Sequence, residues 1–243
     1  MSRPFPAQAR FGGDASRVFA SPAALGDTLT EVLRAYVIHR PDVGYVQGMS
    51  YLAAVLILVL RDPFPSFVAL ANLLQAPFFF DFYKLDAGDV RARLAVFDRL
   101  FEATNPRLRA HFLDLGLDSD AFVLDWALTL FATCGLETRV LHHVWECFFL
   151  DGAPFFVRCA LAILDVLEVR LLAADDVGAL LAALRGLPAS IDDATLFAAL
   201  SNVRVSPATY ADLLDESRRK PPAPPGASAP APHPPCYFPC APM

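Results

Sequence analysis

The sequence predicts an all-helical domain that is followed by a proline-rich C-terminal tail. Apolar residues recur at spacings of three and four along most of the chain, which is the period of an amphipathic helix. Alanine and leucine dominate these segments, and the alternation typical of strands is weak, so helix is favoured over sheet. With 243 residues, 55% of them apolar and only 19% charged, the chain is long enough to bury one substantial core.

The first two helices are predicted on either side of a short break. Residues 3–22 are rich in proline and glycine and predict an extended arm, whereas residues 23–40 place apolar side chains on one helical face. The break at residues 41–44 contains Pro41 and Gly44, and Asp42 is expected to cap the helix that follows. That second helix, over residues 45–60, is apolar on nearly every side, which predicts that its neighbours bury it.

The rest of the domain is predicted to be helical as well, without a repeat period that would indicate a solenoid. Trp126 and Trp145 are expected in the core, and Cys134, Cys147 and Cys159 are expected as free thiols within apolar helices. The predicted helices cover residues 65–74, 90–104, 106–115, 120–133, 137–150, 154–172, 175–185, 192–200 and 207–219.

The composition changes after Lys220, so the chain divides into a domain of residues 1–220 and a tail of residues 221–243. The tail holds ten of the 21 prolines and no Asp, Glu, Lys or Arg, which predicts a disordered or polyproline-like extension. Its last four residues begin at Cys240 and have the form of a prenylation box, with Cys236 as a second lipid site. Proline at an aliphatic position of that box argues against lipidation, which stays an alternative.

The net charge and several incomplete motifs argue against some classes of function. The net charge of −6 argues against nucleic acid, because phosphate binding needs a basic face. His142 and His143 are adjacent rather than four residues apart, so no metal site is expected from them. Gly12 and Gly13 lack the lysine of a phosphate-binding loop, and Gly48-Met49-Ser50 lacks the closing glycine of a nucleophile elbow. No cofactor is therefore expected in this chain.

Gln47 is out of place in an otherwise apolar segment. One interpretation is that its amide bonds the unpaired N–H groups at the start of the second helix. The other is that a rigid helix holds the amide as a donor and acceptor for a group outside the chain. The pattern of residues alone leaves both interpretations open.

Residues 40–51, which run from Arg40 through Gly44, Tyr45, Gln47 and Gly48, resemble the signature of the TBC-domain family of Rab GTPase-activating proteins. Residues 125–131 and 145–152 are similar to two later tryptophan motifs of that family, in the same order. The resemblance covers about residues 3–218. It implies an all-helical, TBC-like domain that lacks the opening helices of the family.

The resemblance also implies how such a domain would act. In this family an arginine and a glutamine enter the active site of a Rab, where they complete the machinery that hydrolyses GTP. The glutamine corresponds to Gln47 and the arginine to Arg3, although Pro4 replaces the usual threonine and the chain lacks the preceding aspartate. Asp42, Tyr45 and Gly48 are expected to support the site, Asp42 by capping the helix and Tyr45 by packing around Gln47. GTP and Mg²⁺ would be bound by the partner, so the chain would carry no turnover chemistry of its own.

The expected function is therefore activation of a Rab-type GTPase in vesicle-mediated and intracellular protein transport. The expected location is the cytoplasm, with recruitment to endomembranes through the partner. Two alternatives remain from the sequence. One is a catalytically inactive Rab-binding or scaffold module, and the other is a non-functional fragment whose missing helices leave a core exposed.

Overall fold

The computed structural model describes residues 22–84, 87–188 and 191–219, and within these ranges the chain forms twelve α-helices and no strand. The prediction of an all-α fold is therefore confirmed. The helices are α1 (Pro22–His39), α2 (Met49–Leu60), α3 (Pro63–Gln75), α4 (Pro77–Tyr83), α5 (Ala87–Thr104), α6 (Pro106–Asp114), α7 (Asp120–Thr129), α8 (Thr138–Asp151), α9 (Ala153–Leu172), α10 (Val177–Arg185), α11 (Asp193–Asn202) and α12 (Pro207–Arg219). The N-terminal arm, Arg3 and the tail with Cys236 and Cys240 lie outside the described residues.

Helix α2 begins later than predicted, at Met49 rather than at residue 45. Gly44 and Gly48 adopt positive φ angles of 69° and 106°, which an α-helix does not accommodate, so residues 45–48 remain outside it. The expectation that Asp42 caps this helix is wrong, because Gly48 occupies the N-cap position without any side-chain hydrogen bond. The carboxylate of Asp42 binds Arg40 instead.

Two further differences also follow from local backbone geometry. Helix α7 ends at Thr129 rather than at residue 133, because Leu130 and Phe131 turn the chain with φ angles of 44° and 64°. Helix α4 was not predicted. Pro77 begins it directly after α3, and the first helical position suits proline, whose missing N–H would have no partner there.

The core is built around α9, which packs against α6, α7, α8 and α11, while α1, α2 and α3 pack together as a second group. Helix α4 joins the groups through contacts with α3, α5 and α7. Trp126 and Trp145 are buried as predicted, and Trp145 Nε1 donates a 2.9 Å hydrogen bond to the Leu130 carbonyl. Cys134 and Cys159 are buried, and Cys147 is half-buried.

Helix α2 is buried on one face, so the prediction that its neighbours bury it is correct for that face and wrong for the other. Met49, Leu52 and Ile57 are inaccessible to solvent. Tyr51, Leu58, Val59 and Leu60 are instead 41–54% exposed.

No single helix among the described residues has both the length and the apolar composition to span a bilayer. In the part of the chain that the structure describes, one bent pair, α3 and α4, passes such a test on length and composition alone, and the two helices meet at a bend of 83°.

A buried arginine joins α12 to the middle of the fold. Arg93 of α5 is 7% exposed, and its Nε and Nη2 donate to Asp81 Oδ2 of α4 at 2.8 and 2.6 Å. Arg93 Nη1 donates to Tyr210 Oη of α12 at 2.8 Å. Arg218 then binds Asp81 at 3.3 Å and Asp89 at 2.8 Å. The guanidinium thus has acceptors on both α4 and α12, which offsets the cost of burying its charge.

We expect Arg93→Met to lower the free energy of unfolding by about 3 kcal/mol, because the substitution leaves the Asp81 carboxylate, which is 12% exposed, with Arg218 at 3.3 Å as its remaining ion-pair partner. Urea denaturation followed by circular dichroism measures the change. Arg99→Met is the matched control, because Arg99 also joins α5 to α12, through an exposed pair with Glu216. Its loss is expected to stay below about 1 kcal/mol. Equal losses in the two variants would contradict this account.

Candidate functional site

The loop of residues 40–48 joins α1 to α2 and carries Gln47 at its end. The N–H groups of Val43 and Gly44 both donate to the Arg40 carbonyl, at 3.1 and 2.9 Å, and form a tight turn. The Met49 N–H donates to the Val46 carbonyl at 3.2 Å, and the Val46 N–H contacts Met49 Sδ at 3.4 Å. Because Met49 is fully buried, the loop is anchored to the core directly after Gln47.

The first half of the loop is fixed by an ion pair. Arg40 Nε donates to Asp42 Oδ1 at 2.9 Å and Arg40 Nη2 donates to Asp42 Oδ2 at 2.7 Å, which is the bidentate geometry that suits a guanidinium and a carboxylate. This hydrogen bonding lowers the pKa of Asp42 to about 2. Asp42 therefore binds Arg40 within the loop and does not cap α2.

The second half of the loop is fixed by the backbone of Gly48. A Cβ at this position would lie 3.1 Å from Leu128 Cβ, 3.2 Å from the Leu128 carbonyl oxygen and 3.3 Å from Tyr83 Oη. These distances and a φ of 106° restrict the position to glycine. Gly48 thus brings the loop against α7 and α4 where no larger residue fits.

One face of α4 lies along the loop. Phe80, Tyr83 and Lys84 have the i, i+3, i+4 spacing that places side chains on the same side of a helix. The Arg40 guanidinium is 5.7 Å from the Phe80 ring centroid, and the Lys84 ammonium is 5.6 Å from it. The first residue of the loop therefore contacts Phe80, and its last residue, Gly48, approaches Tyr83.

Gln47 projects from this fixed loop into solvent. Across the described part of the chain its side chain makes no hydrogen bond, so the amide is not used to satisfy the start of α2. The Tyr51 N–H there donates to the Gly48 carbonyl at 3.0 Å. Of the two sequence interpretations, the geometry favours the one in which the amide faces a group outside the chain.

Tyr45 lies on the surface of the same loop. It is 55% exposed two residues before Gln47, and its packing around Gln47 stays a prediction. The structure places Asp42, Tyr45, Gln47 and Gly48 on one loop, whereas Arg3 lies outside the described residues. The sequence analysis did not identify Phe80 and Tyr83 as residues near the site. The one local feature that marks their helix is Pro77, because proline suits the first position of a helix.

A second polar region lies away from the loop, between α8 and α11. An open cleft of about 250 Å³ lies between the N-termini of α8 and α11 and is lined by Glu137, Arg139, Asp192 and Asp193 among others. Arg139 and His143 both bind Asp193, at 3.0 and 2.8 Å. Within residues 22–84, 87–188 and 191–219, no three His, Cys, Asp or Glu residues are grouped as metal ligands would be.

The chain is similar to known proteins over most of its length. The family model described as the Rab-GTPase-TBC domain matches residues 9–172. The rat protein "TBC1 domain family member 14" is 38% identical over 188 residues, which are 77% of this chain and 27% of that protein. "TBC1 domain family member 12" of Xenopus tropicalis is 37% identical over 188 residues, again 77% of this chain and 27% of the relative. The chain thus spans about a quarter of the length of these curated relatives.

Two solved structures share the architecture. The crystal structure of the Chlamydomonas flagellar RabGAP TBC domain has a TM-score of 0.65 and 27% identity, and the match covers 80% of this chain and 64% of that one. The Ypt/Rab-GAP domain of Gyp1p has a TM-score of 0.62 over 77% of this chain and 66% of that one. Its identity is 17%, so its likeness concerns the fold alone.

We expect Gly48→Ala to lower the free energy of unfolding by about 3 kcal/mol, because the new methyl group combines backbone strain with a clash against Leu128. Thermal or urea denaturation measures the loss. Gly44→Ala is the matched control, since Gly44 also has a positive φ but no atom within 4 Å of its Cβ position. The control is expected to lose about 1 kcal/mol. If both variants lose the same amount, contact with α7 does not restrict Gly48.

We expect Arg40→Met to raise the pKa of Asp42 from about 2 toward its usual value of 3.8. Because the ion pair depresses this pKa, the stability that it contributes is present above the usual pKa and is lost as the pH falls through about 2. Carboxyl-carbon NMR titration measures the change. Asp192 is the internal control, because hydrogen bonds from Thr195 keep its pKa low. An unchanged Asp42 titration would show that Arg40 does not hold this carboxylate in solution.

Proposed function

The chain belongs to the Rab-GTPase-TBC domain family, and from this premise we propose that it is a GTPase-activating protein for a Rab-type small GTPase. The observation that carries the proposal is the exposure of Gln47 on a loop whose backbone is anchored on both sides. A flexible glutamine would lose conformational entropy when it engaged a partner, whereas an anchored one is already arranged for the contact.

Gln47 would act on the water that attacks GTP in the partner. A primary amide has both a donor and an acceptor, so it orients a water molecule between itself and the γ-phosphate. Phosphoryl transfer depends on positioning and electrostatic stabilisation more than on covalent chemistry from the protein. The exposed amide next to the rigid Gly48 anchor supports this role.

Arg3 would supply the second part of the site. A guanidinium near the γ-phosphate neutralises charge that develops as the phosphoryl group transfers, and such an arginine raises the rate by about 10³–10⁵. GTP and Mg²⁺ belong to the partner in this proposal, so the chain contributes side chains in trans. The physiological setting that we propose is cytoplasmic, at endomembranes to which the partner recruits the chain, in vesicle-mediated transport.

A second candidate function is a Rab-binding or scaffold module that does not stimulate hydrolysis. One observation favours it, namely that Pro4 follows Arg3 where the family has a threonine. Proline has no backbone N–H and fixes its own φ, so it changes how the arginine is held. The two candidates differ in whether hydrolysis accelerates, while binding is common to both.

We expect Gln47→Ala to reduce the stimulated rate of GTP hydrolysis on the order of a hundredfold, because one group that organises the transition state is lost. The measurement is single-turnover hydrolysis of GTP by a panel of Rab proteins, each loaded with nucleotide and mixed with the chain. Gln75→Ala is the matched control, since Gln75 is also an exposed glutamine but lies at the end of α3. The control is expected to retain the full rate.

Arg3→Ala with Arg10→Ala as its control extends the same experiment to the second side chain. Loss of the rate in Arg3→Ala alone supports an arginine that acts in trans. Full activity in both Gln47→Ala and Arg3→Ala would overturn the two-residue mechanism. Binding of a Rab without any acceleration by the unaltered chain would establish the scaffold function instead.

A further inference from the structure

The loop that carries Gln47 is held at both ends by one helix, α4. At its start, the Arg40 guanidinium lies over the Phe80 ring, and at its end Gly48 approaches the hydroxyl of Tyr83. The contacts come from residues three positions apart on one helical face. Helix α4 is therefore placed to set the position of the whole loop relative to the core.

Tyr83 lies where three elements meet. Its side chain is 2% exposed, and its hydroxyl donates a short hydrogen bond to the Leu128 carbonyl near the end of α7. The same carbonyl oxygen and the same hydroxyl are two of the three atoms that crowd the Cβ position of Gly48. Burial raises the pKa of Tyr83 above its usual value, so the hydroxyl keeps its proton and remains a donor.

Helix α4 itself has little freedom to move. Phe78, Phe79 and Phe82 are buried in the aromatic core, where Phe78 contacts Phe148 and Phe156 at centroid distances of 5.4 and 5.0 Å. On another side, Asp81 accepts two hydrogen bonds from the buried Arg93. Because α4 is held in this way, a side chain on α4 that contacts the loop restricts the movement of the loop.

We propose that Tyr83 is a positioning residue for Gln47, because its hydroxyl holds the Leu128 carbonyl and, together with Leu128, packs against Gly48, from which the neighbouring glutamine projects. Tyr83 is buried and does not meet the partner, so it acts through Leu128 and Gly48. The effect on hydrolysis rests on the proposed function, whereas the effect on the loop does not. Losing the hydroxyl would free the Gly48 backbone and move the amide of Gln47 away from its working position, while the surface that binds the partner stays the same.

The first experiment tests the loop without any partner. Hydrogen–deuterium exchange is measured for residues 40–49 in the unaltered chain, in Tyr83→Phe and in Tyr210→Phe. Tyr83→Phe is expected to raise exchange at the hydrogen-bonded amides of Val43, Gly44 and Met49 about tenfold, the change that corresponds to losing one buried hydrogen bond. Tyr210→Phe is the matched control, because it removes another buried phenol that is hydrogen-bonded, in its case to Arg93. It is expected to leave these amides unchanged.

The second experiment tests positioning during hydrolysis. With a Rab that the unaltered chain stimulates, Tyr83→Phe is expected to lower kcat about tenfold and to leave KM for the Rab unchanged, since small displacements of reacting groups are costly. In a Gln47→Ala background, the same substitution is expected to change kcat less than twofold, because the group that it positions is gone. All variants are compared at a temperature at which circular dichroism shows each of them fully folded.

The outcomes separate the two proposals. Unchanged exchange in Tyr83→Phe, or an equal fall in kcat with and without Gln47, would overturn the positioning role. If the unaltered chain stimulates no Rab in the panel, the proposed function fails, and the exchange result still decides whether Tyr83 fixes the loop. If Gln47→Ala abolishes stimulation while Tyr83→Phe retains full kcat, only the positioning role is lost.

Discussion

The close approach of the Gly48 backbone to Leu128 and Tyr83 is the constraint on which the site depends. It joins the group of α1, α2 and α3 to the larger group around α9, because α2 meets α7 and α4 at this point. The positive φ of Gly48 at this contact also keeps the residue outside α2, which begins at Met49. A side chain at position 48 would separate the two groups, and Gln47 would lose its fixed support.

The interactions around this point divide into two kinds with different energies. Buried aromatic contacts and the Arg93 network hold α4 in place, and breaking them is costly because the groups that remain have no water to bind. The Arg40–Asp42 pair is largely exposed on the Asp42 side, so it directs the path of the loop and adds little to global stability. The site is thus rigid where it meets the core and open where it meets solvent.

This arrangement gives physical content to the family resemblance. The family resemblance implies a glutamine that enters the active site of a partner. Here Gln47 is exposed near the end of a loop whose backbone is held by hydrogen bonds and by close packing at Gly48. The proposed activity needs such a geometry, because orienting a water requires the amide to be in place before the partner arrives. Membership of the family and the all-α fold rest on the comparisons, while the activity and the roles of Gln47 and Arg3 are for the kinetic measurements to decide.

The sequence by itself determined the all-α class, eleven of the twelve described helices, the buried tryptophans and the motif that contains Gln47, because helical periodicity and a contiguous motif are local properties. It missed α4, since seven residues of which five are aromatic show no clear period, and it began α2 too early, since apolar composition does not reveal a positive φ. It also assigned the N-cap of α2 to Asp42, whereas Gly48 occupies that position. Only the tertiary structure decided that Gly48 lies against Leu128 and Tyr83, because those residues are 80 and 35 positions away and meet through packing that local sequence does not encode.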